Sequence, residues 1–268
     1  MFWPRVKSIL VFVPLMLVVA YVGGVLFSLF FLVVLGVAAF EYGRLLKKMG
    51  YYISQPFLIC GVVVLVLTRL VFGFEYADLA LVALVMGVAV LALWRYETGD
   101  DTALHTFALH LSGILYLGWL GAYFLSLRAL PDGRWWFIIT IALVWLADLG
   151  AYVFGTLWGR HKIMPRLSPK KSWEGWLGGI LFGVGFGAII PLVLRPVFAG
   201  ATSLEGAGLG LTIAVLTLFG DVFMSMLKRL ANVKDSGNVI PGHGGILDRL
   251  DSWLWAAVIG YYFTLFIR

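Results

Sequence analysis

"WLADLGAYVFGTLWGRHKIMPRLSPKKSWEGWLGG", Trp145 to Gly179, sets two apolar runs on either side of a short basic break. The flanking runs, 135–155 and 175–194, are near the length a helix needs to cross the hydrocarbon core of a bilayer. Working outward, further apolar segments occupy 9–22, 25–40, 57–72, 78–94, 105–127, 209–224 and 253–267. Of the 268 residues 62% are hydrophobic and only 13% charged, far from the composition of a water-soluble domain. The pattern predicts an all-α, polytopic integral membrane protein with about nine transmembrane segments. Gly23 and Gly24 separate the first two, which form either a tight hairpin or one broken element.

Arg5 and Lys7 precede the first run as they would in a signal peptide. No small-residue cleavage site leads from it into a soluble domain, so the segment is expected to be retained. The single cysteine, Cys60, excludes an intrachain disulfide and a cysteine-based metal cluster, and in its apolar stretch it is expected to be a buried packing residue. The net charge of +6 arises at the ends of apolar runs, which suits an anionic membrane surface and phosphate-bearing ligands rather than nucleic acid.

Charge placement orients the chain. With a cytoplasmic N-terminus, that side receives 1–8, 41–56, 95–104, 156–174 and 225–252, which hold 15 of the 20 Lys and Arg residues. The opposite side keeps Arg69, Arg128, Arg134, Arg195 and Arg268. The positive-inside rule favours this orientation, and it puts both long polar loops, 156–174 and 225–252, on the cytoplasmic face. The chain reads as a single membrane domain, 1–268. Residues 1–140 supply mainly scaffold, and 141–268 form the catalytic portion.

Polar chemistry is concentrated there. Asp148, Tyr152, Gly155 and Gly159 are spaced to share one helical face. An aspartate at membrane depth is costly unless it is paired or faces a polar cavity. The basic loop that follows carries Arg160, His161, Lys162, Arg166, Lys170 and Lys171, stiffened by Pro165 and Pro169. Ser168, Lys170, Lys171, Ser172 and Glu174 stand just before a new helix, where amides and ammonium groups can hold a polyphosphate. Gly175, Gly179, Gly183 and Gly187 then repeat every fourth residue, a pattern for close helix packing.

The second polar stretch, "SMLKRLANVKDSGNVIPGHGGILDRLDSW" from Ser225 to Trp253, interrupts an otherwise apolar C-terminal region. Asp221, Ser225, Lys228 and Arg229 fall on or near one helical face as the stretch opens. Lys234, Asp235, His243, Gly244 and Gly245 occupy the loop, and Asp248, Arg249 and Asp251 close it. Asp248 and Asp251 either favour a helix N-terminus or belong with Asp221 and Asp148 to a divalent-cation site of hard oxygen donors. His243 has no second His or Cys at zinc-ligand spacing, so a hydrogen bond to phosphate or to an aspartate suits it better.

The pattern S-x-x-K-R-x4-K-D-x-G-x2-I-P-G-H-G-G-I-x-D-R-x-D, Ser225 through Asp251, closely resembles the signature of the phosphatidate cytidylyltransferases, the CDP-diacylglycerol synthases. Asp221 matches the Gly-Asp just upstream. Ser168–Gly179 and the Asp148–Tyr152–Gly155 stripe are similar to further family segments. Length and apolar layout agree over essentially the whole chain, while the specific motifs lie in its C-terminal half. The resemblance implies cytidylyl transfer from CTP to membrane phosphatidate, giving CDP-diacylglycerol and pyrophosphate in phospholipid biosynthesis. It implies Mg²⁺, room for a second cation, a homodimer, and residence in a bacterial inner membrane with the site facing the cytoplasm. It further implies that Asp221, Asp248, Lys228, Arg229 and His243 work at the reaction centre, with bases such as Lys234 and Arg249 on the phosphates. A CDP-alcohol phosphotransferase would show a continuous helical D-G-x2-A-R motif, which is absent. A transporter would show matching polar breaks in two halves of the chain; here they cluster in one half.

Overall fold

The computed structural model describes residues 14–239 and 244–268. Residues 14–22 are helical and stop at Gly23, and Gly24 begins α1 (Gly24–Lys48). Both glycines take positive φ, 70° and 58°, so the join is a break in the left-handed region that side chains with a Cβ avoid. There follow α2 (Gln55–Phe72), α3 (Ala77–Glu97), α4 (Ala103–Gly113), a π-helical turn (Ile114–Trp119) and α5 (Tyr123–Ala129). After these come α6 (Gly133–Trp158), β1 (Lys162–Met164), β2 (Ser168–Ser172), α7 (Trp173–Leu194), α8 (Ser203–Leu230) and α9 (Leu247–Phe266).

Among the described residues, seven helices are long and apolar enough to cross a membrane, the stretch from α4 through α5 counting as one. The remaining expected segments are 9–22, described only from residue 14, and α9, whose first turns carry Asp248, Arg249 and Asp251. Surface chemistry agrees with a lipid solvent. On α3, Leu79, Met86, Val90 and Leu93 stand outward at spacings that follow one helical face, Leu93 being 66% exposed. So broad an apolar surface would drive a soluble protein to associate; in a bilayer it meets acyl chains. The chain is an integral membrane helical protein.

Its residues divide into two compact units. The first runs up to Ser126 and includes Leu230–Asp248; the second comprises Leu127–Arg229 and Arg249–Arg268. Within the first, α1 packs on α2, and Phe31 of α1 stacks on Phe124 of α5 at 4.3 Å between centroids. Cys60 of α2, expected to be buried, is exposed on the outer face of the helix. Gly113 opens a space beside Tyr42 and Leu58 that a Cβ would fill.

Glycines govern the second unit. The ladder Gly175–Gly179–Gly183–Gly187 serves two neighbours in succession. A Cβ on Gly175 or Gly179 would meet the α6 backbone at Ala151 and Ala147, and one on Gly183 or Gly187 would meet α8 at Gly210 and Gly206. The helices therefore touch backbone to backbone, the arrangement small residues permit in membranes. The connection between α6 and α7 is no simple loop. β1 and β2 pair antiparallel, Lys162 opposite Ser172 and Met164 opposite Ser168, so the all-helical expectation acquires one short hairpin. Pro169, which has no N–H to give a ladder, is tolerated because a two-stranded ribbon has free edges.

Candidate active site

The residues of the Asp148 stripe and the β2–α7 junction meet at a cavity of about 320 Å³ in the second unit. Asp148 and Tyr152 come from α6, Lys170, Lys171 and Ser172 from β2, and Asp221 from α8. Gly155, Gly175 and Gly179 form part of the wall, so the close helix contact that the glycines allow also shapes the cavity. Tyr152 is 69% exposed, leaving its ring at the surface of a bilayer-spanning helix.

The charges are interlocked. Lys171 Nζ lies 2.5 Å from Asp221 Oδ2, and the Ser225 hydroxyl donates to Asp221 Oδ1 at 3.3 Å. Asp148 feels Asp221 as a like charge and Lys171 and Arg249 as opposite ones. Asp251, whose Oδ1 accepts from the Ser252 amide at 2.7 Å, feels Asp221 and Asp148 in the same way, with Lys228 as its counter-charge. Three acids and three bases thus share one neighbourhood, so the charge on each bears on the others. Arg229 Nε reaches the Leu167 carbonyl at 3.5 Å, a long contact.

The hairpin is held by an acid. Glu174 accepts from the backbone amides of Arg160 and His161, each at 3.2 Å, and contacts His161 Nδ1 at 2.5 Å. Trp173 N donates to the His161 carbonyl at 2.9 Å, closing the same end. Ser172 caps α7, its Oγ accepting from Gly175 N at 3.2 Å, as expected of Ser at a helix start. Glu174 and Ser172 therefore build the hairpin, while the exposed Lys170 and the paired Lys171 offer charge to the cavity. Ser168 begins β2 and is half-buried.

The loop residues belong to the first unit, where a second acidic centre appears. Asp248 Oδ2 accepts from the Ser236 amide at 2.8 Å, the Ser236 hydroxyl at 3.0 Å and the Gly245 amide at 3.0 Å. Glu41 of α1, 1% exposed, accepts from the same hydroxyl at 2.9 Å and from the amides of Ile246 and Leu247 at 3.1 and 2.9 Å. Gly244 turns at φ 81°, and Lys234 and Asp235 stand exposed. His243 lies outside the described residues.

Sequence reasoning missed Glu41 and Ser236. The available signal was an acid inside the apolar run "VAAFEYG", Val37–Gly43, unusual enough at membrane depth to demand a partner. Trp176 was missed as well; its Nε1 donates to the Ala214 carbonyl at 3.2 Å and fixes one wall of the cavity.

Among the described residues no three His, Cys, Asp or Glu side chains gather into a ready-made metal cage. Magnesium does not ask for one. It favours one or two protein carboxylates, completing its shell with water and substrate phosphates. Asp148 and Asp221, both lining the cavity beside Lys170 and Lys171, are a donor set that fits.

Comparison with known proteins places the chain. Residues 3–267 match the model of the cytidylyltransferase family. The chain belongs to that family. Among its cytidylyltransferase relatives, one from Staphylococcus epidermidis, named phosphatidate cytidylyltransferase, is 33% identical over 258 residues, covering 92% of each chain. A protein of the same name from Mycobacterium leprae is 32% identical over 243 residues, 84% of this chain and 75% of the relative. Another from Synechocystis is 43% identical over 137 residues, 51% of this chain and 45% of the relative. A nucleotidyltransferase-type activity follows from membership, and the lysines and carboxylates of the cavity are the equipment such chemistry uses.

Proposed function

We propose that this protein transfers the cytidylyl group of CTP to phosphatidate, forming CDP-diacylglycerol and releasing pyrophosphate. The observation that carries the reading is the cavity itself, where Asp148 and Asp221 face Lys170 and Lys171 inside a helical membrane unit. One substrate is anchored in lipid and the other is a soluble polyanion, so the site must combine an apolar setting with dense charge. The relatives' shared name supports the choice of phosphatidate as acceptor.

In this reading a phosphatidate oxygen attacks the α-phosphorus of CTP, and the bond to pyrophosphate breaks. The attacking oxygen already carries charge at neutral pH, so no side chain has to remove a proton. The protein's task is to bring two polyanions together and offset their repulsion. Lys170 and Lys171 neutralise phosphate charge from β2, Lys228 and Arg229 do so from α8, and Arg249 adds to the basic set. Ser225 holds Asp221 in place. Mg²⁺ bound by Asp221 and Asp148, with Asp251 adding negative charge, would polarise the nucleotide phosphates and ease pyrophosphate departure. Asp248 is assigned to the loop, where its Oδ2 already takes three donors. The reading places the protein in a bacterial inner membrane with its loops in the cytoplasm, as a homodimer.

The test is transfer of label from α-³²P-CTP to lipid by the purified protein, with phosphatidate and Mg²⁺. Label should enter lipid only with phosphatidate and metal present, with one pyrophosphate per turnover. Asp221→Asn should lower the rate by at least about 100-fold, the scale for losing a preorganised charge at a reacting phosphate. Absence of transfer from folded protein across Mg²⁺, Mn²⁺ and a panel of lipid phosphates would sink the proposal.

A further inference from the structure

We infer that Glu41 is a positioning residue, the fixed point on which the polar loop before α9 is held for nucleotide phosphate. It lies 195 residues from Ser236 and 206 from Leu247 in sequence, yet it binds both ends of that loop. Its Oε1 accepts from the Ile246 amide, and its Oε2 from the Leu247 amide and the Ser236 hydroxyl. Leu247 is the first residue of α9, so its amide has no partner within the helix and needs an acceptor from elsewhere.

Two glycines exist to let Glu41 in. A Cβ on Gly237 would collide with Oε1, and a Cβ on Gly245 would collide with Oε2 and with the Ser236 hydroxyl. Glycine at 237 and 245 is thus a consequence of a buried acid on a distant helix. Asp248 completes the neck by binding the Ser236 and Gly245 amides, so the two carboxyl groups share one serine hydroxyl between them. Lys234 and Asp235, exposed just outside this neck, are presented by it.

The chemistry demands a carboxyl group at position 41. Both oxygens already accept a backbone N–H. An amide would set its NH₂ against one of those donors whichever way it flipped. Glu41→Gln is therefore nearly isosteric and still breaks the anchor.

The inference rests on the proposed reaction for its substrate and on the geometry alone for the anchor, and two measurements separate these. Hydrogen exchange in detergent-purified protein should show the Ser236, Ile246 and Leu247 amides faster by about tenfold or more in Glu41→Gln, with α2 and α3 unchanged. In the transfer assay KM for CTP should rise about tenfold while KM for phosphatidate stays within about twofold, a split that general destabilisation would not produce. Glu41→Asp, which keeps both acceptor oxygens, should recover part of each effect. Unchanged exchange in Glu41→Gln overturns the anchor. Faster exchange with KM for CTP unmoved overturns its role in holding nucleotide. Faster exchange in a protein whose wild type transfers no label leaves the anchor standing and overturns the reaction instead.

Discussion

Lys171 illustrates how much one side chain is asked to do. Its ammonium group is the nearest partner of Asp221, at 2.5 Å, with both side chains partly exposed to the cavity. In the proposed reaction the same ammonium must serve phosphate, so Asp221 has to exchange one cation for another when nucleotide binds. Lys171→Met keeps the aliphatic stem and removes the charge. Transfer should fall by about 10- to 100-fold in kcat/KM, the equivalent of one charge-assisted hydrogen bond. Mn²⁺ binding without nucleotide, read by electron paramagnetic resonance, should tighten, because Asp221 no longer has a resident counter-charge. A fall in both would mean that Lys171 only supports the fold. At this scale the sequence brings out residues that share a cavity and is a poor guide to what each touches. Asp148 and Asp221 stand out as acids in apolar runs and Lys170 and Lys171 as a basic pair before a helix, and all four line one cavity. Ser172 and Glu174 were singled out with them but hold the hairpin and the start of α7. A helix cap and a phosphate ligand draw on the same residue types, so spacing could not separate the two roles.

Helices and their glycines were the most legible elements, because apolar periodicity and small-residue spacing are local properties of the chain. The α7 ladder predicted close packing, and its two halves do pack, against α6 and then α8. Gly210 sharpens the expectation. A Cβ there would run into the carbonyl of Gly183 on the facing helix, and backbone cannot yield as a flexible side chain can. Gly210→Ala should cost about 1–3 kcal/mol despite the better helix propensity of alanine, by the usual penalty for overpacking. Gly185 sits on α7 with nothing near its Cβ position, so Gly185→Ala should be neutral or stabilising by up to about 1 kcal/mol. Thermal unfolding in detergent compares them; equal behaviour would mean that the α7–α8 contact contributes little. The hairpin and the Glu41 anchor were not legible for different reasons. β1 is only three residues long, too short for an alternation signal. Glu41 makes its bonds about two hundred residues away, and no local pattern records a partner so distant.

For the whole molecule, charge asymmetry is the property with most functional weight, since by the positive-inside rule it predicts which water phase meets the basic hairpin. The hairpin and the segment after Leu194 lie at opposite ends of α7, whose 22 residues rise about 33 Å, enough to cross the hydrocarbon core. Arg166 and Ala199 are exposed at those two ends. Each can be labelled separately once Cys60 is removed. In a Cys60→Ser background, Arg166→Cys should react with a membrane-impermeant maleimide only in inverted vesicles. Ala199→Cys should react only in right-side-out cells or spheroplasts. The positive-inside rule demands this result, because five of the bases assigned to the inner side lie between Arg160 and Lys171. In the proposed reaction CTP comes from the cytoplasm, so the opposite pattern would cut the cavity lysines off from the nucleotide. The orientation experiment therefore bears on the reaction too: reversed labelling would leave Asp148 and Asp221 facing the wrong phase for cytidylyl transfer.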